Sequence, residues 1–345
     1  MNDSLPFKKL RCDIVSPATD FVSVVRPVSE DLCLIGDQSG TISAISCSNG
    51  GIAWRRKTHA GGIRALERAK CSDVCISGGD DGYVVATDLS SGEELRRESL
   101  RLDPRFSDWV SHLQWSSTER TLAAVCGKRL FFVSAELHPI ADPCLHAATI
   151  QDLAWDQEGK RVATVCYGGG TIWSPAGPSP LSTWHDKVAM LAVSWSPSGK
   201  YIACGCQDSS ILVWDVKQKQ NLRMRGYPGK VTTLAWDRAG RYLATSGQGD
   251  LIVWDFSGEG PSGKEPIHRG IHQGVISAIE FNPKGTMLCT TADDGSLLVW
   301  RTGSFEPCLY GVAGAGISAA AWSRDGRRIF VGLKDGGVCM FPIDA

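Results

Sequence analysis

Three cysteines are the first residues whose type and spacing could do chemistry. Cys126, Cys166 and Cys206 follow one another at intervals of 40 residues. Thiolates bind zinc, so three cysteines at one repeating position would form a metal site if their sulfur atoms came together. Whether they do depends on the structural elements that carry them.

An aromatic residue repeats with almost the same period as the cysteines. The intervals are 40, 40, 41, 45 and 41 residues, between Trp115, Trp155, Trp195, Trp236, Phe281 and Trp322. Periods of this size are typical of solenoids and propellers, in which each unit buries its apolar face against its neighbours. Turn sequences such as Ser-Pro-Ser-Gly at 196–199 follow the aromatic residue, so each unit is predicted to begin with a β-hairpin.

Two earlier units have the same strand spacing but lack the aromatic residue. In all six units, nine residues separate the aromatic position from a fixed position in the second strand. The same spacing is found after Arg26 and after Arg68, so the sequence contains eight units. The last unit has only three strand candidates. Residues 5–13 are predicted to complete it, because ring closure removes the exposed edges of an open array.

Short motifs recur at the end of the third strand and in the turn before it. Val-Trp-Asp stands at 213–215 and 253–255, and Asp-Asp-Gly at 80–82 and 293–295. With histidines about 18 residues before the second strand, these motifs make the chain resemble the WD40-repeat family. The resemblance implies one all-β domain over residues 1–345, a β-propeller of four-stranded antiparallel blades closed by the N-terminal strand. Eight blades are predicted, with seven as the alternative.

The family commonly carries a hydrogen-bond chain of His, Ser or Thr, Asp and Trp within a blade. The resemblance implies one full set, formed by His272, Thr290, Asp294 and Trp300. It also implies two partial sets, formed by His59, Ser77 and Asp81 and by His146, Thr164 and Trp173. A histidine beside a hydroxyl and a carboxylate also suggests a catalytic triad. We expect the structural role, because a nucleophile must be exposed beside an oxyanion hole and no Gly-x-Ser-x-Gly elbow is present.

The predicted ring also limits how closely the cysteine sulfur atoms can approach one another. Equivalent second-strand atoms of adjacent blades should lie roughly 9 Å apart, since strands are spaced ~4.8 Å from one another. Sulfur atoms that share a zinc ion lie about 3.8 Å apart. We therefore expect no metal, no cofactor and no catalytic residue. A metal-handling protein or enzyme using Cys and His residues at the top face, the face of the histidine turns, is the alternative.

Two arginines stand where the other units place Trp or Phe. A buried guanidinium is costly unless it is paired, so Arg26 and Arg68 must either meet carboxylates or reach solvent. On neighbouring blades they could form a basic notch for an acidic peptide or a phosphate. Two locally paired arginines on irregular blades are the alternative.

A long connection between the second and third units is the other candidate binding region. It carries Arg101, Arg105, Phe106 and Trp109. Binding residues concentrate on loops held by a rigid scaffold, and exposed aromatic residues beside arginine are typical of interaction hot spots. Alternatively, Trp109 takes the histidine place and packs inward.

Composition narrows the classes of partner. Lys plus Arg number 36 and Asp plus Glu number 37, so no net field favours a nucleic acid or a membrane surface. The 13 cysteines lie mainly in apolar strand-like segments, which favours buried thiols in a reducing compartment. We predict a cytoplasmic, non-catalytic scaffold that binds one or more proteins or peptides. A reader of modified or acidic peptides is a further alternative.

Overall fold

A computed structural model gives the fold. It describes residues 7–15, 18–69, 72–101, 108–118 and 120–343, with the side chains of residues 14 and 15 left out. Over these ranges the chain forms strands and turns and contains no helix. The predicted fold class, an all-β propeller of four-stranded antiparallel blades, is confirmed.

The N-terminal segment and the first three blades account for the first fourteen strands. The N-terminal strands are β1 (Lys8–Lys9) and β2 (Asp13–Val15). Blade 1 contains β3 (Val22–Pro27), β4 (Leu32–Asp37), β5 (Thr41–Ser46) and β6 (Ile52–Lys57). Blade 2 contains β7 (Ile63–Ala69), β8 (Val74–Gly79), β9 (Tyr83–Asp88) and β10 (Glu94–Ser99). Blade 3 contains β11 (Val110–Trp115), β12 (Leu122–Cys126), β13 (Arg129–Val133) and β14 (Cys144–Leu145).

Blades 4 and 5 are joined into one six-stranded sheet. Its strands are β15 (Ile150–Trp155), β16 (Val162–Ser174), β17 (Gly177–Trp195), β18 (Tyr201–Cys206), β19 (Ile211–Asp215) and β20 (Gln220–Met224). The register of β16 shifts between Tyr167 and Gly169, where Gly168 and Gly169 take φ values of 98° and 140°. Only glycine adopts such values readily, so these residues let one long strand serve two positions in blade 4. In the same way β17 ends blade 4 and begins blade 5.

The last three blades complete the ring. Blade 6 contains β21 (Leu234–Trp236), β22 (Tyr242–Gly247), β23 (Asp250–Asp255) and β24 (Ile267–Gly270). Blade 7 contains β25 (Ile276–Phe281), β26 (Met287–Ala292), β27 (Ser296–Arg301) and β28 (Pro307–Val312). Blade 8 contains β29 (Ile317–Trp322), β30 (Arg328–Leu333) and β31 (Val338–Pro342), together with β2.

The first strands of the blades contact one another in chain order around the channel. They are β3, β7, β11, β15, the C-terminal half of β17, β21, β25 and β29, and β29 contacts β3. The Ser318 hydroxyl donates to the carbonyl of Val22 across that last seam, at 2.6 Å. Over the described residues the ring therefore has eight repeat units. As continuous hydrogen-bonded sheets it has seven, the alternative count, because the six-stranded sheet contains two units.

The boundaries predicted for the closing strand, residues 5–13, need correction. The strand that completes blade 8 is β2, in which Asp13 lies opposite Met340 in antiparallel register. Strand β1 instead pairs in parallel with β28 of blade 7. The reason is Leu10, which is 7% exposed and packs into the core shared by blades 7 and 8. Because this side chain is buried between blades 7 and 8, the residues before it pair with blade 7 and the residues after it pair with blade 8.

Three of the recurrent tryptophans tie their blade to the one before it. The indole Nε1 of Trp155 donates to the carbonyl of Gln114 at 2.8 Å, and that of Trp322 donates to the carbonyl of Glu280 at 3.0 Å. Trp195 makes the same bond to Ala154 at 3.0 Å. These aromatic positions lie where the first strands end, on the bottom face. The histidine turns lie where the first strands begin, on the top face.

Closure by the N-terminal segment can be tested at Leu10. We expect Leu10→Ala to lower the free energy of unfolding by about 2 kcal/mol or more, since it leaves a cavity between two blades. Chemical denaturation of the full chain gives the measurement. The matched control is Arg11→Ala, because that side chain is 88% exposed. Equal stability of the two variants would contradict the role given to Leu10.

Candidate functional site

The full hydrogen-bond chain lies on the top face of blade 7. His272 Nε2 is 2.7 Å from the Thr290 hydroxyl, to which the Trp300 indole donates at 2.9 Å. The other ring nitrogen, Nδ1, contacts the Ser296 hydroxyl rather than Asp294. Ser296 in turn donates to Asp294, so a serine stands between the imidazole and the carboxylate. Burial lowers the pKa of His272 to about 4, so the imidazole is neutral at pH 7.

A partial chain in blade 2 joins the three residues implied for it. His59 lies 2.8 Å from the Ser77 hydroxyl and 2.8 Å from Asp81 Oδ1. Burial alone would raise the pKa of Asp81. Hydrogen bonds from His59 and from the Ala60 amide outweigh that effect and lower the pKa to about 2. The buried Thr87 hydroxyl, which stands where Trp would, has no hydrogen-bond partner among the described residues.

The partial chain in blade 4 also forms. His146 Nε2 is 2.8 Å from the Thr164 hydroxyl, and the Trp173 indole donates to the same hydroxyl at 2.8 Å. Where an aspartate would stand, the Cys166 sulfur lies 3.8 Å from His146 Nδ1. Burial lowers the pKa of His146 to about 4.

A fourth chain, in blade 6, was missed because its first residue is a tyrosine. The Trp254 indole donates to the Tyr227 hydroxyl at 2.7 Å, and that hydroxyl is 2.9 Å from the Thr245 hydroxyl. Tyr227 stands 18 residues before Thr245, the spacing that also separates His272 from Thr290. The spacing of 18 residues could therefore have identified this chain from the sequence, whereas a search for histidine could not.

The hydroxyls of these chains are inaccessible to a substrate. Ser77, Thr164, Thr245 and Thr290 are all fully buried. A nucleophile must reach solvent or a bound substrate, whereas a buried chain of satisfied donors and acceptors holds a turn in place. The chemistry available to these residues is therefore the positioning of the top-face turns.

The cysteine column is buried in the sheet. Cys126, Cys166 and Cys206 are all buried, and desolvation raises the pKa of each thiol, that of Cys126 to about 12. The described residues contain no group of three or more His, Cys, Asp or Glu side chains that could hold a metal ion. The twelve cysteines in the described ranges are free thiols.

The structure brings Arg26 and Arg68 together at the bottom end of the channel. Arg26 donates to the carbonyl of Leu66 at 3.0 Å and to the carboxylate of Glu67. Arg68 donates to the carbonyl of Val28 at 2.6 Å. Each arginine thus bonds across the seam to the other blade. Both line a cavity of about 450 Å³, together with residues of blades 3, 7 and 8.

The top-face candidates are only partly described, since Arg105 and Phe106 lie outside the described residues. Trp109 is 45% exposed and does not pack inward, and the Arg64 guanidinium lies 5.7 Å from the centre of its ring. Arg101 donates to the carbonyls of Asp80 and Asp108 at 3.1 and 3.2 Å. An exposed indole is therefore held among fixed charged groups.

A second cavity, of about 680 Å³, lies on the top face between blades 3 and 4. Its lining includes Leu145, Tyr167 and Trp184, and Tyr167 is 66% exposed. Sequence reasoning missed this groove. The signal was the run of three glycines after Tyr167, at the last of which a Cβ atom would lie 2.1 Å from the Trp184 ring.

Comparison with known proteins matches three of the blades to a family model. The model, described as WD domain, G-beta repeat, matches residues 178–215, 218–255 and 265–301. In the described residues, no helix has the length and apolar character needed to cross a membrane.

Two curated relatives and one solved structure show what else the chain resembles. The pre-mRNA-splicing factor cwf17 of Schizosaccharomyces pombe is 32% identical over 47% of this chain and 48% of its own length. Pre-mRNA-processing factor 19 homolog 2 of Arabidopsis thaliana is 23% identical over 83% of this chain and 55% of its own length. The chain thus spans about half the length of these relatives.

The solved structure of the C-terminal WD40 domain of Sif2 has the same fold. It superposes with a TM-score of 0.79 over 98% of this chain and 100% of that domain, at 10% identity. The family model thus finds WD40 repeats over about a third of the chain, and the superposition shows that the whole described chain shares the β-propeller fold.

Proposed function

We propose that this protein is a non-catalytic platform for protein–protein contacts, and that its top face at blades 2 and 3 binds a partner. The observation that carries the proposal is Trp109, a large aromatic side chain left 45% exposed on a rigid ring. The histidines and hydroxyls that could have supported catalysis are buried in structural chains instead. A propeller that buries its reactive groups and exposes an indole is suited to binding.

The surroundings of Trp109 support this role, and we call Arg64, Asp80, Arg101, Asp108 and Trp109 the Trp109 patch. Arg64 is held by Asp80 at 2.6 Å and lies over the indole. Because the arginines are already fixed, little side-chain entropy is lost when a partner binds. Tryptophan and arginine are the side chains most often found at interaction hot spots.

Charge and relatives guide the choice of partner and compartment. The balance of 36 basic and 37 acidic residues supports a protein or peptide partner over a nucleic acid or a membrane. Two relatives are named as pre-mRNA splicing or processing factors. Those names favour the nucleus over the cytoplasmic location expected from sequence, and imaging of the tagged chain in cells tests this.

The Trp109 patch can be tested by affinity capture with the full chain as bait. We expect Trp109→Ala to lose at least one protein that the wild-type chain retains, with an unchanged melting temperature because the side chain is exposed. Tyr167→Ala is the matched control, since it removes another exposed aromatic residue from the top face. Identical sets of captured proteins for all three chains would contradict the proposal.

The structural role of the His272 chain predicts a loss of stability at its hydroxyl. Thr290→Val leaves the Trp300 indole and the imidazole without their shared partner, so we expect the free energy of unfolding to fall by about 1–3 kcal/mol. Urea denaturation measures it. Thr286→Val, on the exposed turn of the same blade, should change little. A stable Thr290→Val protein would rule out the structural role.

The pKa values near 4 of His146 and His272 predict a dependence on pH. In the unfolded chain these histidines protonate below about pH 6.5, whereas in the folded chain they stay neutral down to about 4. Their contribution is therefore complete above pH 6.5 and is lost as the pH falls towards 4, by on the order of 3 kcal/mol for each histidine. Denaturation of the wild type and His272→Gln at several pH values checks this, and equal slopes would contradict it.

A further inference from the structure

The bottom end of the channel opens into the cavity that contains Arg26 and Arg68, which we call the basin. Its lining comes from five of the eight blades and its volume is about 450 Å³, within the usual range of ligand sites. The residues that matter below are Arg68 of blade 2, Trp115 of blade 3 and Glu280 of blade 7. The basin lies on the face opposite the Trp109 patch, because Trp109 precedes β11 and Trp115 ends it.

Two hydrogen-bond donors of the basin have no acceptor. At three other seams the column indole donates to a carbonyl of the preceding blade, as Trp155 does to Gln114. At the seam of blades 2 and 3 this bond is missing. Trp115 Nε1 and Arg68 Nε are both buried and have no partner among the described residues, and Trp115 as a whole is only 8% exposed. Buried donors without acceptors are destabilising, so an added acceptor would stabilise this seam.

The second free donor belongs to Arg68, which stands in the second blade's aromatic position. Arg68 directs its Nη1 to Val28 in blade 1, and only its Nη2 approaches a carboxylate, that of the largely exposed Asp73 at 3.5 Å. The column contains another unsatisfied indole, Trp236, but that residue does not line the basin and packs against Phe256. The combination of free donors, a guanidinium and a cavity therefore occurs at the basin.

The charges of the basin indicate what acceptor fits. Arg26, Arg68 and Arg324 bring positive charge, while Glu67 and Glu280 bring negative charge. Glu67 is already bonded by Arg26, and Glu280 accepts the Trp322 amide at 3.1 Å. Two carboxylates in one small cavity repel a doubly charged phosphate more than a singly charged carboxylate. A single carboxylate satisfies the free donors with the smaller electrostatic cost.

We propose that the basin binds an acidic side chain, Asp or Glu, from an extended segment of a partner protein, with Arg68 and Trp115 donating to its carboxylate. This inference goes beyond the proposed function, since it names the partner's chemistry on the opposite face. Its failure would leave the test of the Trp109 patch unaffected.

Two capped peptides provide the test. The acidic peptide is N-acetylated, C-amidated Gly-Ser-Glu-Glu-Ser-Gly, and its neutral twin carries Gln in place of Glu. Isothermal titration calorimetry with the full chain should show binding of the acidic peptide at least tenfold tighter than of the neutral one. Equal affinities, or no binding of the acidic peptide at millimolar concentration, would overturn the proposal.

Conservative variants locate the binding without disturbing the fold. Arg68→Lys keeps the charge but lacks the Nε donor, and Trp115→Phe keeps the ring but lacks the indole N–H. We expect each to weaken binding of the acidic peptide about tenfold, the effect of losing one hydrogen bond to a charged group. Trp236→Phe and Arg238→Lys are the matched controls on the same face and should bind as the wild type does. Wild-type affinity in Arg68→Lys and Trp115→Phe would refute the site.

A variant that binds the acidic peptide more tightly separates an effect on the site from a folding defect, because a folding defect would only weaken binding. Glu280→Gln removes one negative charge from the basin while keeping an oxygen to accept the Trp322 amide. We expect this variant to bind the acidic peptide severalfold more tightly, because repulsion inside the cavity falls. Unchanged or weaker binding by a folded Glu280→Gln protein would contradict a carboxylate ligand in the basin.

Discussion

The registration of neighbouring blades depends on one interaction, a side-chain N–H that crosses from the end of one first strand to a carbonyl of an adjacent blade. Trp155, Trp195 and Trp322 supply it from indoles, and Arg26 supplies it from a guanidinium. Isolated four-stranded blades cannot bury both of their faces, so the apolar seams hold only when neighbouring blades keep a common registration. This polar contact fixes that registration at the bottom face, while the histidine chains fix the turns at the top.

The same arrangement separates structural chemistry from binding chemistry. The hydroxyl of a complete histidine chain is buried and satisfied, as the Thr290 hydroxyl is between His272 and Trp300. Beside Arg68, where arginine replaces the column aromatic, two buried donors lack an acceptor among the described residues, Arg68 Nε and Trp115 Nε1. Irregular positions on a repetitive scaffold are therefore the informative ones. The regular positions explain why the irregular ones stay rigid enough to recognise a partner.

Much of the fold could be predicted from periodicity, because the spacing of repeats reflects strand and turn lengths that the ring imposes on every unit. The offset of nine residues located blades without an aromatic residue, and the offset of 18 would have located Tyr227. The Ser296 hydroxyl between His272 and Asp294 could not be foreseen, because turn geometry decides which acceptor reaches the imidazole. The pairing of Arg26 with Glu67 was equally hidden, since it depends on the seam between two blades.

The closing strand has a temporal consequence. Strand β2 precedes blade 1 in the sequence and its partner β31 is the last strand of blade 8, so Asp13 meets Met340 only after all the blades have been synthesised. During translation blade 1 therefore lacks its contact with blade 8, and each later blade is added to an open arc of blades. Pairing between such distant segments is slow, and it leaves strand edges available to chaperones or to other nascent chains. We therefore expect the unclosed arc to be more prone to non-native contacts than the closed ring.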